Sequence, residues 1–381
     1  MPETIHPIII IGAGPAGLAV AGRLKHSGID SLILEQAGQV GSSWVNHYDR
    51  LHLHTIKEYS HLPHFKLPED WPQYISKNQL IDHLTDYCIH FDLSVKFFQK
   101  VIKVKATRTH WEVTTDQNKV YTANQVVVCS GYNRVPFVPT WPGQRDFKGT
   151  LVHSRSYQNA RPYADCKVLV VGMGNTGAEI ALDLVENGAQ PSVSIRGPVN
   201  IVPRDFKGRP TQKTAMILRK LPNWLGDRVG VLLRRIAVGD LSEWGIKTPH
   251  DPPAAQLREY GKTPVIDLGT VNRIKTGEIK IVDDIRSFTA NGVIYQSGEQ
   301  EEFDHVILAT GYTADLPEFI EITSDHFDKK GVPKSAWSEE CTGLYFVGFN
   351  TSFSGILNAI YEESEQVVDK ILKEIDLTKA D

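Results

Sequence analysis

The chain has 381 residues, 41% of them hydrophobic, enough for two cores at roughly 100–200 residues per domain. Its 41 basic and 45 acidic residues give a net charge of −4, which offers no electrostatic footprint for nucleic acid or an anionic membrane. Four scattered cysteines without a CxxC pair, and no run of about 20 apolar residues, argue against a redox dithiol, a zinc site or a membrane span and for a reducing cytoplasm.

The first predicted elements are a strand over 8–11, a helix over 16–27 and a strand over 31–34. Gly12-Ala13-Gly14-Pro15-Ala16-Gly17 joins the first two as a GxGxxG loop. Each glycine answers a separate steric need. Gly12 permits the tight turn, Gly14 lets backbone approach a pyrophosphate, and Gly17 lets helix pack on strand. The helix N-terminus then offers free N–H groups and a positive dipole end to phosphates. Glu35, followed by Gln36, closes the second strand where a ribose-binding acid belongs. A strand-rich stretch over 95–128 ends in Cys129-Ser130-Gly131-Tyr132, and Pro136, Pro139 and Pro142 stiffen its exit. Residues 156–165 read as a linker.

The pattern then repeats. A strand over 168–171 leads into Gly172-Met173-Gly174-Asn175-Thr176-Gly177, a helix over 176–186 and a strand over 192–195. This strand ends in Arg196, which can pair with a 2′-phosphate and so points to NADP(H). Residues 205–262 read as an insertion on the second domain, with a tunnel wall or a dimer contact as the functional alternatives. A second strand-rich stretch over 279–308 ends in Ala309-Thr310-Gly311-Tyr312, so each half runs from fingerprint to a closing Gly-Tyr. Too few residues follow for a third domain, and the chain is expected to return to the first. Gly348 is expected to line the first cofactor again, and Ile356, Ala359 and Ile360 to face the core at helical spacing. The expected fold is α/β. It has two Rossmann-like dinucleotide-binding domains of the glutathione/thioredoxin-reductase type: 1–155 with 316–381, discontinuous, and 166–315.

Between the fingerprints stands Phe147-Lys148-Gly149-Thr150-Leu151-Val152-His153-Ser154-Arg155-Ser156-Tyr157. It resembles the FxGxxxHxxx(Y/F) signature of flavin-containing monooxygenases. Ser43-Trp44, the Ser130-Gly131 to Pro142 stretch and Ala309-Thr310-Gly311-Tyr312 resemble further blocks of that family. Within it the chain looks most similar to plant YUCCA-type monooxygenases, through Arg50-Leu51-His52-Leu53-His54, residues 263–270, residues 274–280 and residues 343–349. The resemblance runs to about residue 370 and is weakest in the insertion.

That resemblance implies a flavoprotein that binds FAD, draws hydride from NADPH, with NADH as the alternative donor, and adds dioxygen at the flavin C4a carbon. The oxygen then passes to a small organic substrate by N- or S-oxygenation, Baeyer–Villiger-type insertion or oxidative decarboxylation of an aromatic 2-oxo acid. Many members carry asparagine, in contact with flavin and nicotinamide, where this chain and the YUCCA-type members have histidine, His54. Tyr157 in place of a final tryptophan argues against the Baeyer–Villiger branch, and Gly197 beside Arg196 loosens the expected NADPH preference.

The catalytic expectation is His54, near the flavin peroxide, with Asn175 toward the nicotinamide or as a helix cap. The expected cofactor-binding set is Gly12, Gly14, Pro15, Ala16, Gly17, Glu35, Gln36, Ser43, Trp44, His54, Thr55, Val101, Ser130, Gly131, Gly172, Gly174, Asn175, Thr176, Gly177, Arg196, Thr310, Gly311, Tyr312 and Gly348. Trp44 is read as lying beside the flavin, and His153 and Tyr157 as structural anchors. No metal is expected, because the histidines show neither HxxxH nor HExxH spacing. The expected partners are a small-molecule substrate and dioxygen, without nucleic acid or membrane; a homodimer is left open. The rival readings are an NAD(P)H oxidase releasing hydrogen peroxide, a disulfide reductase of the same fold, and a non-enzymatic flavin redox sensor.

Overall fold

The computed structural model describes residues 5–350 and 352–380. They divide into two units. The first takes residues up to 45, 55–135 and 312 onward; the second takes 46–54 and 136–311.

In the first unit, Ile8 to Ile11 are consecutively buried, so both faces of strand Ile5–Ile11 are covered, as the run of β-branched residues requires. It pairs in parallel with Leu32–Leu34 on one side and Val120–Val128 on the other. The sheet continues to Ser94–Lys96 beyond Leu32–Leu34, and Leu344–Phe346 adds in parallel to Val120–Val128. The long strand Val120–Val128 also closes an antiparallel meander with Trp111–Thr115 and Val101–Ala106. Helix Pro15–His26 starts on a proline, whose missing N–H would be unpaired there anyway, and ends in Arg23, Lys25 and His26, which suit the negative end of its dipole. The final helix, Ile356–Ala380, packs along it, and Arg23 donates to Ser364 Oγ at 3.1 Å and to the Tyr361 carbonyl at 3.1 Å.

The second unit has a five-stranded parallel sheet in the order Lys280–Val282, Gln190–Ser194, Lys167–Val171, His305–Leu308, Thr150–His153. The first unit has the same order: Ser94–Lys96, Leu32–Leu34, Ile5–Ile11, Val120–Val128, Leu344–Phe346. A three-stranded antiparallel meander, Ile285–Phe288, Gly292–Tyr295 and Gln300–Glu302, again precedes the closing strand. The internal duplication read from the two glycine loops is therefore an architectural repeat.

The units divide differently from the sequence reading. Residues 136–165 belong to the second unit, because Thr150–His153 pairs with His305–Leu308 and Tyr157 and Ala160 are buried in that unit's core. The stretch 156–165 is thus packed structure rather than a linker. Residues 46–54 also join the second unit, with Tyr48 in its core. The 205–262 region forms helices Thr211–Leu218, Asn223–Ala237 and Pro253–Tyr260, and Val238, Leu241 and Ile246 seat it on the second unit's core.

One buried group makes the first unit sensitive to acid. His83 stacks on Phe65 with ring centroids 5.1 Å apart and meets Trp71 edge-on at 6.4 Å. Its Nε2 has no hydrogen-bond partner among the described residues. Burial pushes the imidazole down from 6.5 to about 4. Between those values the unfolded chain binds a proton that the native ring does not. Stability is therefore present above pH 6.5 and is lost as pH falls toward 4, by up to about 3 kcal/mol. Urea midpoints across that window should fall more steeply for wild type than for His83→Leu. Parallel curves would show that His83 does not carry the acid sensitivity.

Candidate functional site

The two loops are built alike. Gly12 has φ +104°, and a Cβ there would lie 2.6 Å from the Cys129 carbonyl oxygen; a Cβ on Gly17 would lie 1.9 Å from the Gly12 oxygen. Gly172 has φ +108°, with 2.7 Å to the Ala309 oxygen, and Gly177 has 2.0 Å to the Gly172 oxygen. The first and third glycines are thus demanded by the protein itself. The middle ones are not: a Cβ on Gly14 or Gly174 would meet no protein atom within 4 Å. Each middle glycine is also the N-cap of its helix and makes no side-chain cap, so the first N–H groups of both helices stay available. An open backbone cradle at a helix N-terminus fits a dinucleotide pyrophosphate in both units.

In the first unit Glu35 is buried and folds over its loop. It accepts from the Ala13 N–H at 2.7 Å, the Ala37 N–H at 2.9 Å and the Ser42 hydroxyl at 3.2 Å. Gln36 is exposed beside it, and Ser43 and Trp44 follow on the short helix Ser42–Val45. Ser130, just beyond Val120–Val128, has a buried hydroxyl without a partner among the described residues. Next to it Gly131 has φ +88° and open space at its Cβ position. An orphaned hydroxyl and an open backbone at the carboxyl end of a sheet strand are what a bound ligand would satisfy. Gly348 comes to the same place, since a Cβ there would lie 2.9 Å from Ala16 Cβ. Its N–H donates to Glu363 at 2.9 Å. Burial raises the Glu363 carboxyl above the usual range. Thr55 bonds Ser60 Oγ at 2.9 Å, and Val101 opens its strand half-buried against the core. Glu363 escaped the sequence reading, although an acid between Ile360 and Val367, on a helix turned toward the core, was a visible signal.

In the second unit Arg196 is exposed just past Gln190–Ser194 and makes no hydrogen bond or ion pair among the described residues. Asn175 neither caps its helix nor stands open. Gly174 is the cap, and the Asn175 Oδ1 accepts the Ile266 N–H at 2.7 Å, locking strand Val265–Asp267 to the loop. Thr176 follows half-buried. Thr310 donates to the Phe137 carbonyl at 2.5 Å, and the Gly311 carbonyl accepts from the Phe137 N–H at 2.9 Å. His153 Nε2 bonds that same Gly311 oxygen at 3.1 Å while its Nδ1 accepts from the Arg155 N–H. Tyr157 donates to Asp183 at 2.5 Å. His153 and Tyr157 therefore anchor the chain locally. Tyr312 lies where the chain re-enters the first unit.

His54 ends the 46–54 segment, and its Nε2 lies 2.7 Å from Glu179 on helix Asn175–Glu186. That segment is fastened twice more to the same helix, as Arg50 meets Asp183 at 3.4 Å and Glu186 at 2.7 Å. Sequence reading found the histidine and missed its partner, which stands 125 residues away. The available sign was a glutamate among Ala178, Ile180, Ala181 and Leu182. Among the described residues no group of three or more His, Cys, Asp or Glu could hold a metal, and no helix is long and apolar enough to cross a membrane.

A parallel α/β pair of glycine-loop sheets with two such cradles defines a two-dinucleotide oxidoreductase. The flavin-binding monooxygenase-like family model matches residues 6–332. The chain is 39% identical over 357 residues to the probable indole-3-pyruvate monooxygenase YUCCA3 of Arabidopsis thaliana, covering 90% of this chain and 81% of that protein. It is 37% identical to the indole-3-pyruvate monooxygenase YUCCA1 of Oryza sativa subsp. japonica, covering 90% and 86%. Among solved structures, a flavin-containing monooxygenase from Stenotrophomonas maltophilia superposes with a TM-score of 0.74 at 18% identity, covering 97% of this chain and 98% of that one. The chain belongs to the flavin-binding monooxygenase-like family. It is a flavin monooxygenase, an enzyme that inserts oxygen into a small substrate using FAD and a nicotinamide dinucleotide.

Proposed function

We propose that the chain holds FAD on the first unit and NADPH on the second, and uses them to decarboxylate an aromatic 2-oxo acid oxidatively. The observation that carries the two-cofactor part is the pair of middle glycines, Gly14 and Gly174, free of any protein demand for their missing side chains. The substrate class rests on the relatives named as indole-3-pyruvate monooxygenases. The balance is one 2-oxo acid, one dioxygen, one NADPH and one proton, giving the acid shortened by one carbon, carbon dioxide, NADP⁺ and water.

Bound flavin supplies the passage of electrons from nicotinamide to dioxygen. The chain supplies binding, orientation and dryness. On this reading Gly12 to Gly17 cradle the FAD pyrophosphate, Glu35 meets its ribose with the lone pairs its own loop leaves free, and Ser130 and Gly131 complete the contact. Gln36, Ser43, Trp44, Thr55, Val101 and Gly348 fill out the FAD set. Gly172 to Gly177 cradle NADPH, with Arg196 on the 2′-phosphate and Thr310, Gly311 and Tyr312 at the crossing back to the first unit. Asn175 acts through the strand it ties down. His54 is the side chain that meets the reacting groups. Its Nδ1 enters no hydrogen bond among the described residues and is free to accept or deliver a proton there.

The test is turnover under ¹⁸O₂ with NADPH and a panel of aromatic 2-oxo acids, sulfides, amines and ketones. The expected result is one labelled oxygen in the shortened acid and equal consumption of NADPH. Unlabelled organic products once catalase removes free hydrogen peroxide, which by itself decarboxylates 2-oxo acids, would replace this reading with the oxidase. Label in a sulfide or amine, and in no acid, would keep the monooxygenase and overturn the substrate class.

A further inference from the structure

Glu179 is 2% exposed, one turn into a helix whose neighbouring residues Ala178, Ile180, Ala181 and Leu182 are buried and apolar. One of its oxygens lies 2.7 Å from His54 Nε2, and the other is buried with no partner among the described residues. Burying a carboxylate with half its acceptors unused is costly. The fold does not need this contact to hold the 46–54 segment. Arg50 already pairs with Asp183 and Glu186. Asp49 accepts from the Asn159 side chain at 2.9 Å, its N–H donates to the Gln158 carbonyl at 2.8 Å, and Tyr48 packs edge-on to Tyr157. The backbone of the segment is therefore placed by other residues, and what the Glu179 contact adds acts on the His54 ring.

We propose that Glu179 is the positioning residue of His54: a buried carboxylate that takes the Nε2 proton, holds the ring, and presents Nδ1 to the reaction. A carboxylate offers only acceptors, so the proton in this contact sits on Nε2. The neutral ring is then held in one tautomer, with Nδ1 as its acceptor, as second partners commonly do for working histidines. The inference rests on the reading of His54 given above. It extends that reading to a residue on the helix of the second fingerprint, so that one helix both starts the NADPH cradle and aims the histidine.

Two independent readouts test it, on the FAD-loaded full chain. The first is ¹⁵N NMR of histidine-labelled protein under mildly alkaline conditions, with the His54 signals assigned by their loss in His54→Asn. Wild type should show a protonated Nε2 and a bare Nδ1, and Glu179→Gln, whose amide can turn either end toward the ring, should lose that preference. The same tautomer in both proteins, or a protonated Nδ1 in wild type, overturns the proposal. The second is a double-mutant cycle. Glu179→Gln should lower kcat about tenfold with KM for NADPH little changed. Glu179→Gln should add nothing to His54→Asn, because coupled residues are non-additive. Additive losses would overturn the proposal. Should His54→Asn alone leave turnover and peroxide release unchanged, the functional reading of His54 falls, and the NMR result still decides whether Glu179 sets the ring. If Glu179→Gln does not fold, Glu179→Asp, which keeps the charge and withdraws it by one methylene, takes its place in both measurements.

Discussion

A Gly14→Ala protein is expected to fold, purify in normal yield and come off the column nearly colourless. Gly14 sits at φ −82°, a conformation open to any residue, and the added methyl meets no protein atom within 4 Å. The cost to the protein alone is that of a poorer N-cap, about 1 kcal/mol at most. The methyl stands where a pyrophosphate would draw against the backbone. Bound flavin per chain should therefore drop at least about tenfold, and unfolding should match that of wild type stripped of its flavin, because the stabilisation by bound ligand is lost with it. Gly17→Ala is the contrast. Its methyl would lie 1.9 Å from the Gly12 oxygen, backbone against backbone, with no side chain able to swing aside. The expected result is insoluble protein or a loss above about 4 kcal/mol. Gly174→Ala should keep the flavin and lose its fast reduction by NADPH. Full flavin content in Gly14→Ala would show that the first loop does not carry the cofactor.

Arg196→Ala should separate the two nicotinamide donors. A hydrogen bond from a charged guanidinium to phosphate is worth about 1.5–3 kcal/mol, so kcat/KM for NADPH should fall about tenfold to a hundredfold. NADH has no 2′-phosphate and should react at its wild-type rate. The exposed setting of Arg196 places the loss toward the lower end at high salt and the upper end at low salt. Equal changes with both donors would remove Arg196 from phosphate recognition and leave the loop alone to bind the dinucleotide.

The parts that were legible in the chain are those whose cause is local. Gly12 and Gly172 announce the turn through their positive φ, and Gly17 and Gly177 announce the helix that follows, because a side chain there would strike the Gly12 or Gly172 oxygen of the same loop. The strands around them are runs of Ile, Leu and Val that only a twice-covered sheet would hide. Illegible were the pairings made across the chain. Nothing near Thr150–His153 says that it will lie beside His305–Leu308, so from sequence residues 136–155 read as part of the first domain and 156–165 as a linker. Nothing near His54 says that its nitrogen will find Glu179. Asn175 belongs with these: at a helix start asparagine suggests a cap or a nicotinamide contact, but its oxygen is taken by the Ile266 N–H of a strand whose arrival no nearby residue signals.

The strand Leu344–Phe346 has a consequence for how the molecule is made. The sheet of the first unit contains residues from both ends of its span, and the helix that covers Pro15–His26 is Ile356–Ala380. During synthesis the second unit has all its residues, 46–54 and 136–311, well before that strand and helix leave the ribosome. The domain begun first is completed last. Until then the Val126–Val128 edge and the side of Pro15–His26 that Ile356–Ala380 covers stand open, an interval in which a nascent chain is exposed to chaperones and to aggregation. A truncation between residue 311 and Leu344 would spare the second unit and leave the first permanently in that unfinished state.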